Sequence, residues 1–213
     1  VSTDHSHFDA GSEPLSDTEA QRIYAAALRG EATKEEADAF RRNMMLETAR
    51  MACDDGLVMT LHPAVRRNHD PHNLAKYGLD VGSDIPVKVE FTEALRPLLG
   101  RYGNHPNLNL VVFTLDETVY SRELAPLAGF YRSLYVGAPW WFIDSPEAIR
   151  RFRSAITDTA GFYRTSGFID DTRAFLSIPT RHDMSRRLDA GYLAHLVAEE
   201  RLTVDEAIET AHD

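Results

Sequence analysis

Acidic, basic and imidazole side chains stand directly after apolar runs of this 213-residue chain. His62 ends one run and Arg67 follows it five positions later, while Asp171 and Arg173 come just after another run. A carboxylate in such a place can ligate a divalent metal, or take a proton from a substrate carbon or hydroxyl. An arginine can hold a carboxylate by two parallel hydrogen bonds. These residue types could therefore carry out proton transfer on a substrate that bears a carboxylate.

Other residues at predicted strand ends have a structural reading beside the functional one. His5 and His7 alternate along a strand and share one face, so they could bind a metal or simply end a solvated strand. Trp140 and Trp141 could be core residues, but adjacent indoles on a strand point opposite ways, so we expect one to line a pocket. His62 is either a core histidine bonded to backbone or a site residue.

Short apolar runs alternate with amphipathic helices along the chain. Strands are predicted near residues 1–5, 56–62, 108–116, 134–137 and 167–169. Helices are predicted over about 16–30, 33–56, 89–101, 121–130 and 180–199 and after Ser145 and Thr203, with a long loop over 63–88. This order favours a parallel α/β sheet, either half of an eight-fold barrel or an open doubly wound sheet. Both folds bind ligands at the carboxyl ends of their strands, where we expect the polar residues to meet.

The composition excludes several classes of protein. Hydrophobic residues make up 43% and the formal net charge is −10, so a globular protein that repels nucleic acid is expected. The sequence shows no apolar run near the roughly 18 residues of a membrane span, and no secretory signal at its start. Cys53 is the one cysteine, which rules out an intrachain disulfide and favours a reducing compartment, the cytoplasm.

Three segments of the chain resemble the uronate isomerase family of the amidohydrolase superfamily. They are residues 60–68 (TLHPAVRRN), 136–144 (VGAPWWFID) and 167–177 (GFIDDTRAFLS). Residues 3–5 at the start and 181–187 near the end are also similar to the family. The likeness runs in order along the whole chain.

The resemblance implies a (β/α)8 TIM barrel of the amidohydrolase type. Residues 1–213 would supply its later strands, about four to eight, with a mainly helical insertion at about 11–55. Family members are about twice this length, so we expect an earlier half that holds a first-strand His-x-His pair. The chain opens without Met on what reads as a strand end, which indicates a fragment or a processed chain. We expect such a fragment to be inactive alone.

The resemblance also implies an activity, the aldose–ketose isomerisation of D-glucuronate to D-fructuronate and of D-galacturonate to D-tagaturonate. A proton would pass between C2 and C1, through a cis-enediol. Asp171 would be a metal ligand and the general base at C2. Arg173 would hold a substrate oxygen and stabilise negative charge on the enediol. His62 and Arg67 would contact metal or substrate.

The same resemblance implies a cofactor and partners. The cofactor would be one divalent metal, zinc, held by Asp171 and His62, with His5 as a weaker candidate and further ligands from the earlier half. Trp140 and Trp141 would bind the sugar. The partners would be a hexuronate and further copies of the chain in a homo-oligomer, with no nucleic acid and no membrane.

Two alternatives stay open beside the isomerase. One is a mononuclear metal-dependent amidohydrolase acting on an amide or lactone, and the other is a non-catalytic α/β domain that binds sugar acids. The predicted strand over 108–116, which would be the sixth strand of the barrel, ends at Thr114-Leu115-Asp116 without a histidine. Because dinuclear hydrolases of the superfamily usually carry histidines on both the fifth and the sixth strand, this favours one metal and isomerase chemistry.

Overall fold

The computed structural model describes residues 2–170 and 175–212, and its centre is a four-stranded parallel sheet. The strands are β1 (Ser2–His5), β2 (Val58–Leu61), β3 (Val65–Arg66), β4 (Ile85–Pro86), β5 (Asn109–Val112) and β6 (Leu134–Val136). The order in the main sheet is β1-β2-β5-β6, and every neighbouring pair is parallel. A separate antiparallel pair joins β3 to β4. The predicted parallel α/β architecture is therefore confirmed.

The two faces of this sheet differ in chemistry because side chains alternate along each strand. Met59, Leu61 and Leu110 are fully buried in the apolar core on one face. Asp4 and Thr60 are register partners on the other face, and both remain partly accessible. A slip of one residue would exchange the two faces, so burial of the apolar face fixes the register of the polar one.

The helices of the described residues follow the predicted order. They are α1 (Asp17–Leu28), α2 (Lys34–Asp55), α3 (Pro71–Tyr77), α4 (Arg96–Tyr102), α5 (Ala125–Phe130), α6 (Pro146–Ala160), α7 (Ile178–Ala198) and α8 (Val204–His212). Short 3₁₀ turns cover Glu117–Val119, Trp141–Ile143 and Phe175–Ser177. None of the helices in this part of the chain is long and apolar enough to cross a bilayer.

The first two helices begin and end at the signals that the sequence carries. The Ser16 side chain accepts a hydrogen bond from the amide of Glu19 at the start of α1. Thr33 and Glu36 form a reciprocal capping box at the start of α2, and Gly56 ends it with a φ of +73°. α1 packs on α2, which packs on β2 and α4. The insertion predicted at about 11–55 stays a prediction.

The helix predicted over 89–101 is corrected, because it begins only at Arg96. Carboxylates already hold the backbone amides before that point. Glu123 accepts from the amide of Phe91 at 2.6 Å, and Glu90 accepts from two amides further along. Side-chain carboxylates, and not the carbonyls of a helix, accept from these amides. The apolar pattern alone therefore places the start of α4 too early.

The long stretch 63–88 is also more ordered than predicted. It contains α3 and both strands of the β3–β4 pair. The side chain of Asp70 accepts from the amide of His72, and Pro71 occupies the first turn of α3. This capping signal is present in the sequence.

The helix predicted over 121–130 is divided into two turns of different kind. Residues Tyr120–Leu124 form a π-helical turn, and α5 begins at Ala125. Pro126 lies in the first turn of α5, where its missing N–H costs no helical hydrogen bond. The proline therefore starts a helix here instead of interrupting one.

The strand predicted at 167–169 is wrong. A single parallel bridge beside β6 takes its place, between Val136 and Thr165. The Val136 amide donates to the carbonyl of Arg164 at 3.0 Å. Gly167 has a φ of +69°, which ends the extended conformation just after the bridge.

Arg164 ties this bridge to the end of α5 and the start of β6. Its guanidinium donates at 2.8–3.1 Å to four backbone carbonyls, those of Ala128, Tyr131, Arg132 and Leu134. The same guanidinium lies 4.4 Å from the centre of the Tyr135 ring. Ala128 lies in the last turn of α5, where carbonyls lack partners within the helix, so the Arg164 side chain supplies a hydrogen bond there.

Arg164→Lys is expected to lower the free energy of unfolding by about 1–3 kcal/mol, because an ammonium group cannot reach all four carbonyls. Urea unfolding followed by circular dichroism measures the change. Arg187→Lys is the control, since Arg187 pairs with Asp183 on the exposed surface of α7. Equal stability of the two variants would contradict the assigned role of Arg164.

Asp9 joins the segment after β1 to α2. Its carboxylate lies 2.6 Å from Nη2 of Arg41 and 3.3 Å from Nη2 of Arg42, and it accepts from the amide of Gly11 at 2.7 Å. Burial raises the pKa of Asp9, but these hydrogen bonds and positive charges outweigh burial and lower the pKa from 3.8 to about 2. Folding therefore favours the ionised carboxylate.

Asp9→Asn is expected to reduce stability at neutral pH by about 1–2 kcal/mol, since the site is half-buried and partly screened by water. The folded pKa lies below the unfolded one, so the stabilisation by Asp9 is complete above pH 3.8 and is lost as the pH falls toward 2. Denaturant unfolding of both proteins from pH 7 down to pH 3 should show the difference shrinking below about pH 4. A pH-independent difference would refute this account.

Candidate active site

An open cleft of about 510 Å³ lies where the main strands end. It is lined chiefly by polar and aromatic side chains of the strand tips, among them Asp4, Thr60, His62, Arg67, Trp140 and Asp170. The structure thus brings together three residues predicted for the site from separate parts of the sequence, His62, Arg67 and Trp140. The parallel sheet explains this, because the carboxyl ends of its strands share one edge.

Asp4 and His62 form a hydrogen-bonded pair in the cleft, with 2.7 Å between Oδ1 of Asp4 and Nδ1 of His62. Oγ1 of Thr60 donates to the same carboxylate oxygen at 2.6 Å. Burial raises the pKa of Asp4, but the hydrogen bond from Thr60 and the charge and hydrogen bond of His62 lower it below its usual range. An ionised Asp4 can only accept, so Nδ1 of His62 carries the proton of this hydrogen bond, and Nε2 is the ring nitrogen that remains for another partner.

Aromatic rings hold the imidazole of His62 in place. It stacks on Phe113 with 4.2 Å between ring centres and 10° between planes, and it meets Trp140 edge-on at 4.9 Å. Phe113 in turn lies against Gly137, where an added Cβ would come within 2.4 Å of the ring. A glycine is required there, which makes the loop after β6 part of the support for His62.

Trp140 and Trp141 stack on each other, with 4.7 Å between ring centres and 13° between planes. Trp141 has a φ of +55°, a left-handed conformation, so the chain turns between the two indoles instead of alternating as a strand would. Trp140 lines the cleft, in agreement with the expectation that one indole would. The stacking itself could not be foreseen from strand alternation.

Arg67 reaches the cleft from the loop that follows β3. Its guanidinium carbon lies 4.7 Å from the centre of the Trp141 ring, and Nη1 lies 2.9 Å from Oδ2 of Asp84. The other oxygen of Asp84 accepts from the amide of Asn68 at 2.8 Å. Arg67 is therefore a fixed positive charge beside an indole face.

The structure does not bring His5 to the cleft. His5 lies on the opposite face of β1 from Asp4, because adjacent side chains of a strand alternate. Its Nε2 is 3.2 Å from Oγ1 of Thr3, and its ring meets His7 edge-on at 5.8 Å. Burial, the charge of Arg41 and the charge of His5 lower the pKa of His7 to about 4, so His7 is neutral at physiological pH.

The acidic residues that follow β5 serve the fold. Asp116 accepts from the amide of Thr118 at 3.0 Å and caps a 3₁₀ turn. Glu117 forms a two-point ion pair with Arg151 of α6, at 2.8 Å for each contact. The contribution of β5 to the cleft is thus the ring of Phe113, not a carboxylate.

Asp171 and Arg173, predicted as the base and the oxygen-binding residue, lie outside the described residues. The chain that leads to them borders the cleft, since Ile169 and Asp170 line it. The Asp170 side chain is only 3% exposed and lies 3.1 Å from Nε of Arg181.

The described residues offer a metal ion at most part of a ligand set. Among residues 2–170 and 175–212, no three side chains of His, Cys, Asp or Glu come close enough together to hold an ion. His62 suits one ligand position, because a carboxylate on Nδ1 commonly orients a histidine whose Nε2 binds a metal. A set of three ligands would therefore need residues 171–174 or another part of the protein.

Three residues of the site were given no role in the sequence analysis, Asp4, Thr60 and Phe113. A signal was available for the first two, because Asp4 and Thr60 are at equivalent positions of neighbouring strands and Thr60 shares a face with His62. Phe113 is apolar, and an apolar residue at a strand end does not by itself indicate a site.

Comparison with known proteins places these observations in a family. The family model described as glucuronate isomerase matches residues 1–211. A uronate isomerase of Cutibacterium acnes is 58% identical over 212 residues, and one of Xanthomonas euvesicatoria is 57% identical over 213 residues. Each alignment covers 100% of this chain and 45% of the relative, so the chain spans a little under half the length of these proteins.

Solved structures agree with this assignment. The glucuronate isomerase of Caulobacter crescentus superposes with a TM-score of 0.96 at 53% identity, over 100% of this chain and 44% of the other. The uronate isomerase of Thermotoga maritima gives a TM-score of 0.93 at 26% identity, over 99% of this chain and 47% of the other. The predicted fold, part of a TIM barrel of the amidohydrolase type, is confirmed. The chain belongs to the glucuronate isomerase family.

Proposed function

We propose that the protein containing this chain interconverts D-glucuronate with D-fructuronate and D-galacturonate with D-tagaturonate. The observation that carries the proposal is the convergence of the Asp4–His62 pair, Arg67 and Trp140 in one cleft at the strand ends. Membership of the glucuronate isomerase family supports the same reaction. The substrate class is a hexuronate.

The residues of the cleft suit the two ends of such a substrate. The fixed guanidinium of Arg67 can donate hydrogen bonds to the carboxylate or a hydroxyl oxygen of a sugar acid, since it is held in place by Asp84 and Trp141 before the ligand arrives. The indole of Trp140 offers an apolar face to the C–H groups of the ring or chain. Binding energy from both would orient C1 and C2 for proton transfer.

The reaction needs a base at C2 and stabilisation of charge at O1. Asp171 takes the proton from C2, a double bond forms between C1 and C2, and the carbonyl electron pair moves to O1, which is protonated to give the enediol. Arg173 donates hydrogen bonds to the oxygen on which negative charge develops. Loss of the proton from the hydroxyl on C2 then forms the ketone, and C1 receives a proton. Every proton removed is returned, so no external oxidant or reductant takes part.

We infer one divalent metal, zinc, as the cofactor. His62 through Nε2 and Asp171 would hold it, with further ligands from the portion of the protein outside this chain. When bound, such an ion polarises the substrate carbonyl and favours enolisation. Asp4 keeps the imidazole of His62 in the tautomer and orientation that this role needs.

Three further properties are proposed for the whole protein. The chain with one cysteine suits a reducing compartment, so we place the protein in the cytoplasm. The protein would assemble as a homo-oligomer. The isolated 213-residue chain would be inactive, because it spans under half of its relatives and β1 has no described partner on its outer edge.

The reaction is tested on the full-length protein by following ketose formation from D-glucuronate. Asp171→Asn is expected to lower kcat by about 10²–10⁴-fold, because it removes the base while keeping the size of the side chain. Asp183→Asn, an exposed aspartate of α7, is the matched control and should keep wild-type activity. Full activity of Asp171→Asn would refute the assigned base, and hydrolysis of an amide or lactone without ketose formation would favour an amidohydrolase. Binding of the uronate without any turnover would favour a non-catalytic binding domain.

The role of Asp4 is tested by metal affinity. Asp4→Asn is expected to weaken zinc binding by about 10–100-fold, because the amide holds the imidazole less firmly than a carboxylate. Competition with a chromogenic chelator measures the affinity on the full-length protein. Asp116→Asn, which removes a carboxylate at the end of β5 away from the cleft, serves as the control. Unchanged affinity in Asp4→Asn would contradict the proposed role of Asp4 in orienting His62.

A further inference from the structure

A second cavity, of about 290 Å³, adjoins the cleft. The segment after β1 and the residues of and after β3 line it, namely Ser6, His7, Phe8, Val65, Arg66 and Arg67. Ser6 and Arg67 also line the cleft, so the two spaces share a wall. Two guanidinium groups and no carboxylate face this cavity among the residues that the structure describes. Its chemistry therefore suits an anion.

Arg66 has a fixed place in this wall. It lies opposite Ile85 in the β3–β4 pair, which sets the position of its backbone. Its guanidinium carbon lies 5.0 Å from the centre of the Phe8 ring, while the side chain remains exposed to solvent. A guanidinium over the face of a ring keeps its charge and the hydrogen-bond donors at its edge. Arg66 therefore presents a positive charge beside the cleft.

The charge of Arg66 is not neutralised by the protein within residues 2–170 and 175–212, where no carboxylate pairs with it. The other arginine of the cavity differs in this respect, because Nη1 of Arg67 lies 2.9 Å from Oδ2 of Asp84. His7, the remaining titratable group of the cavity, is neutral at physiological pH. Arg66 is thus the source of uncompensated positive charge in the described wall.

The surroundings of the cleft make this charge important for an anionic ligand. Asp4 is ionised and contributes a negative charge, and the charge of Arg67 is offset by Asp84. The chain as a whole carries a formal net charge of −10. A carboxylate that approaches such a protein is repelled unless a local positive charge attracts it. Arg66 supplies that charge next to the cleft.

We propose that Arg66 is a specificity-determining residue, whose guanidinium in the cavity beside the cleft attracts the carboxylate of a sugar acid and selects it over a neutral sugar. The inference rests on the substrate class of the proposed function, a hexuronate. Arg66 acts on binding and takes no part in proton transfer. Its removal therefore changes the affinity for an anionic sugar and leaves kcat unchanged.

A matched control lies at the other end of the sheet. Arg101 is in the last turn of α4, ahead of the start of β5 at Asn109, and its side chain is also exposed. No carboxylate pairs with Arg101 in the part of the chain that the structure describes. Arg101→Gln thus makes the same change of charge as Arg66→Gln, but far from the carboxyl ends of the strands.

The experiment titrates D-gluconate and D-glucitol into the full-length protein and measures binding by calorimetry. The two ligands differ by a carboxylate in place of a hydroxymethyl group, and neither has an aldehyde group that could be isomerised. Wild type should bind D-gluconate more tightly than D-glucitol. Arg66→Gln is expected to weaken D-gluconate binding by about 5–10-fold and to leave D-glucitol binding unchanged, since one charge contact is lost. Arg101→Gln should keep both affinities.

Two further measurements separate a role of the charge from a structural role. Arg66→Lys should retain most of the preference for D-gluconate, because lysine keeps the charge. The affinity of wild type for D-gluconate should fall between about 50 mM and about 300 mM sodium chloride, and that of Arg66→Gln should fall less, because salt screens exposed charges. In the ketose assay, Arg66→Gln should raise KM for D-glucuronate by a factor similar to the loss of D-gluconate affinity and keep the wild-type kcat.

The outcomes distinguish this inference from the proposed function. Wild type that prefers D-gluconate through Arg66 but forms no ketose from D-glucuronate would overturn the isomerase activity alone. Equal affinities for D-gluconate in Arg66→Gln and Arg101→Gln would overturn the role of Arg66 alone, and so would wild type without a preference for D-gluconate. If Arg66→Gln does not fold, Arg66→Met carries the same test, since it keeps an unbranched stem against Phe8 and removes the charge.

Discussion

The parallel, in-register pairing of β1, β2, β5 and β6 is the constraint on which the site depends. It places the ends of four strands at one edge of the sheet, so that Asp4, His62 and Phe113 meet although they are far apart in sequence. The register is fixed by the apolar face, where Met59 and Leu110 are fully buried. Core packing on one side of the sheet therefore determines which polar side chains face each other on the other side.

Around this sheet, ion pairs and aromatic rings hold the loops that supply the rest of the cleft. Asp84 and Trp141 fix Arg67, and Phe113 and Trp140 enclose the imidazole of His62. Each contact joins two segments from different parts of the chain. The rings leave the imidazole of His62 largely covered, while the carboxylate of Asp4 stays open to water. The cleft is in this sense prepared before a ligand binds.

Much of this arrangement follows from the sequence, and the exceptions have identifiable causes. Alternating strands and helices predict the sheet, and polar residues after the strands predict the shared position of His62, Arg67 and Trp140. The errors have two causes. The carboxylate of Glu123 holds the amide of Phe91, so α4 begins later than predicted, and the left-handed conformation of Gly167 prevents the strand predicted at 167–169. The roles of Asp171 and Arg173 came from the family resemblance, since spacing alone leaves a cap and a site residue equally possible.

The account is tested most directly by a crystal structure of the full-length protein with D-glucuronate, using Asp171→Asn to prevent turnover. We predict that the sugar lies in the cleft against the indole of Trp140, with C2 about 3–3.5 Å from the side chain of residue 171. Its carboxylate or a hydroxyl oxygen should lie within hydrogen-bond distance of an arginine of the cleft. A sugar bound elsewhere, with the surroundings of His62 and Trp140 left to solvent, would contradict the account.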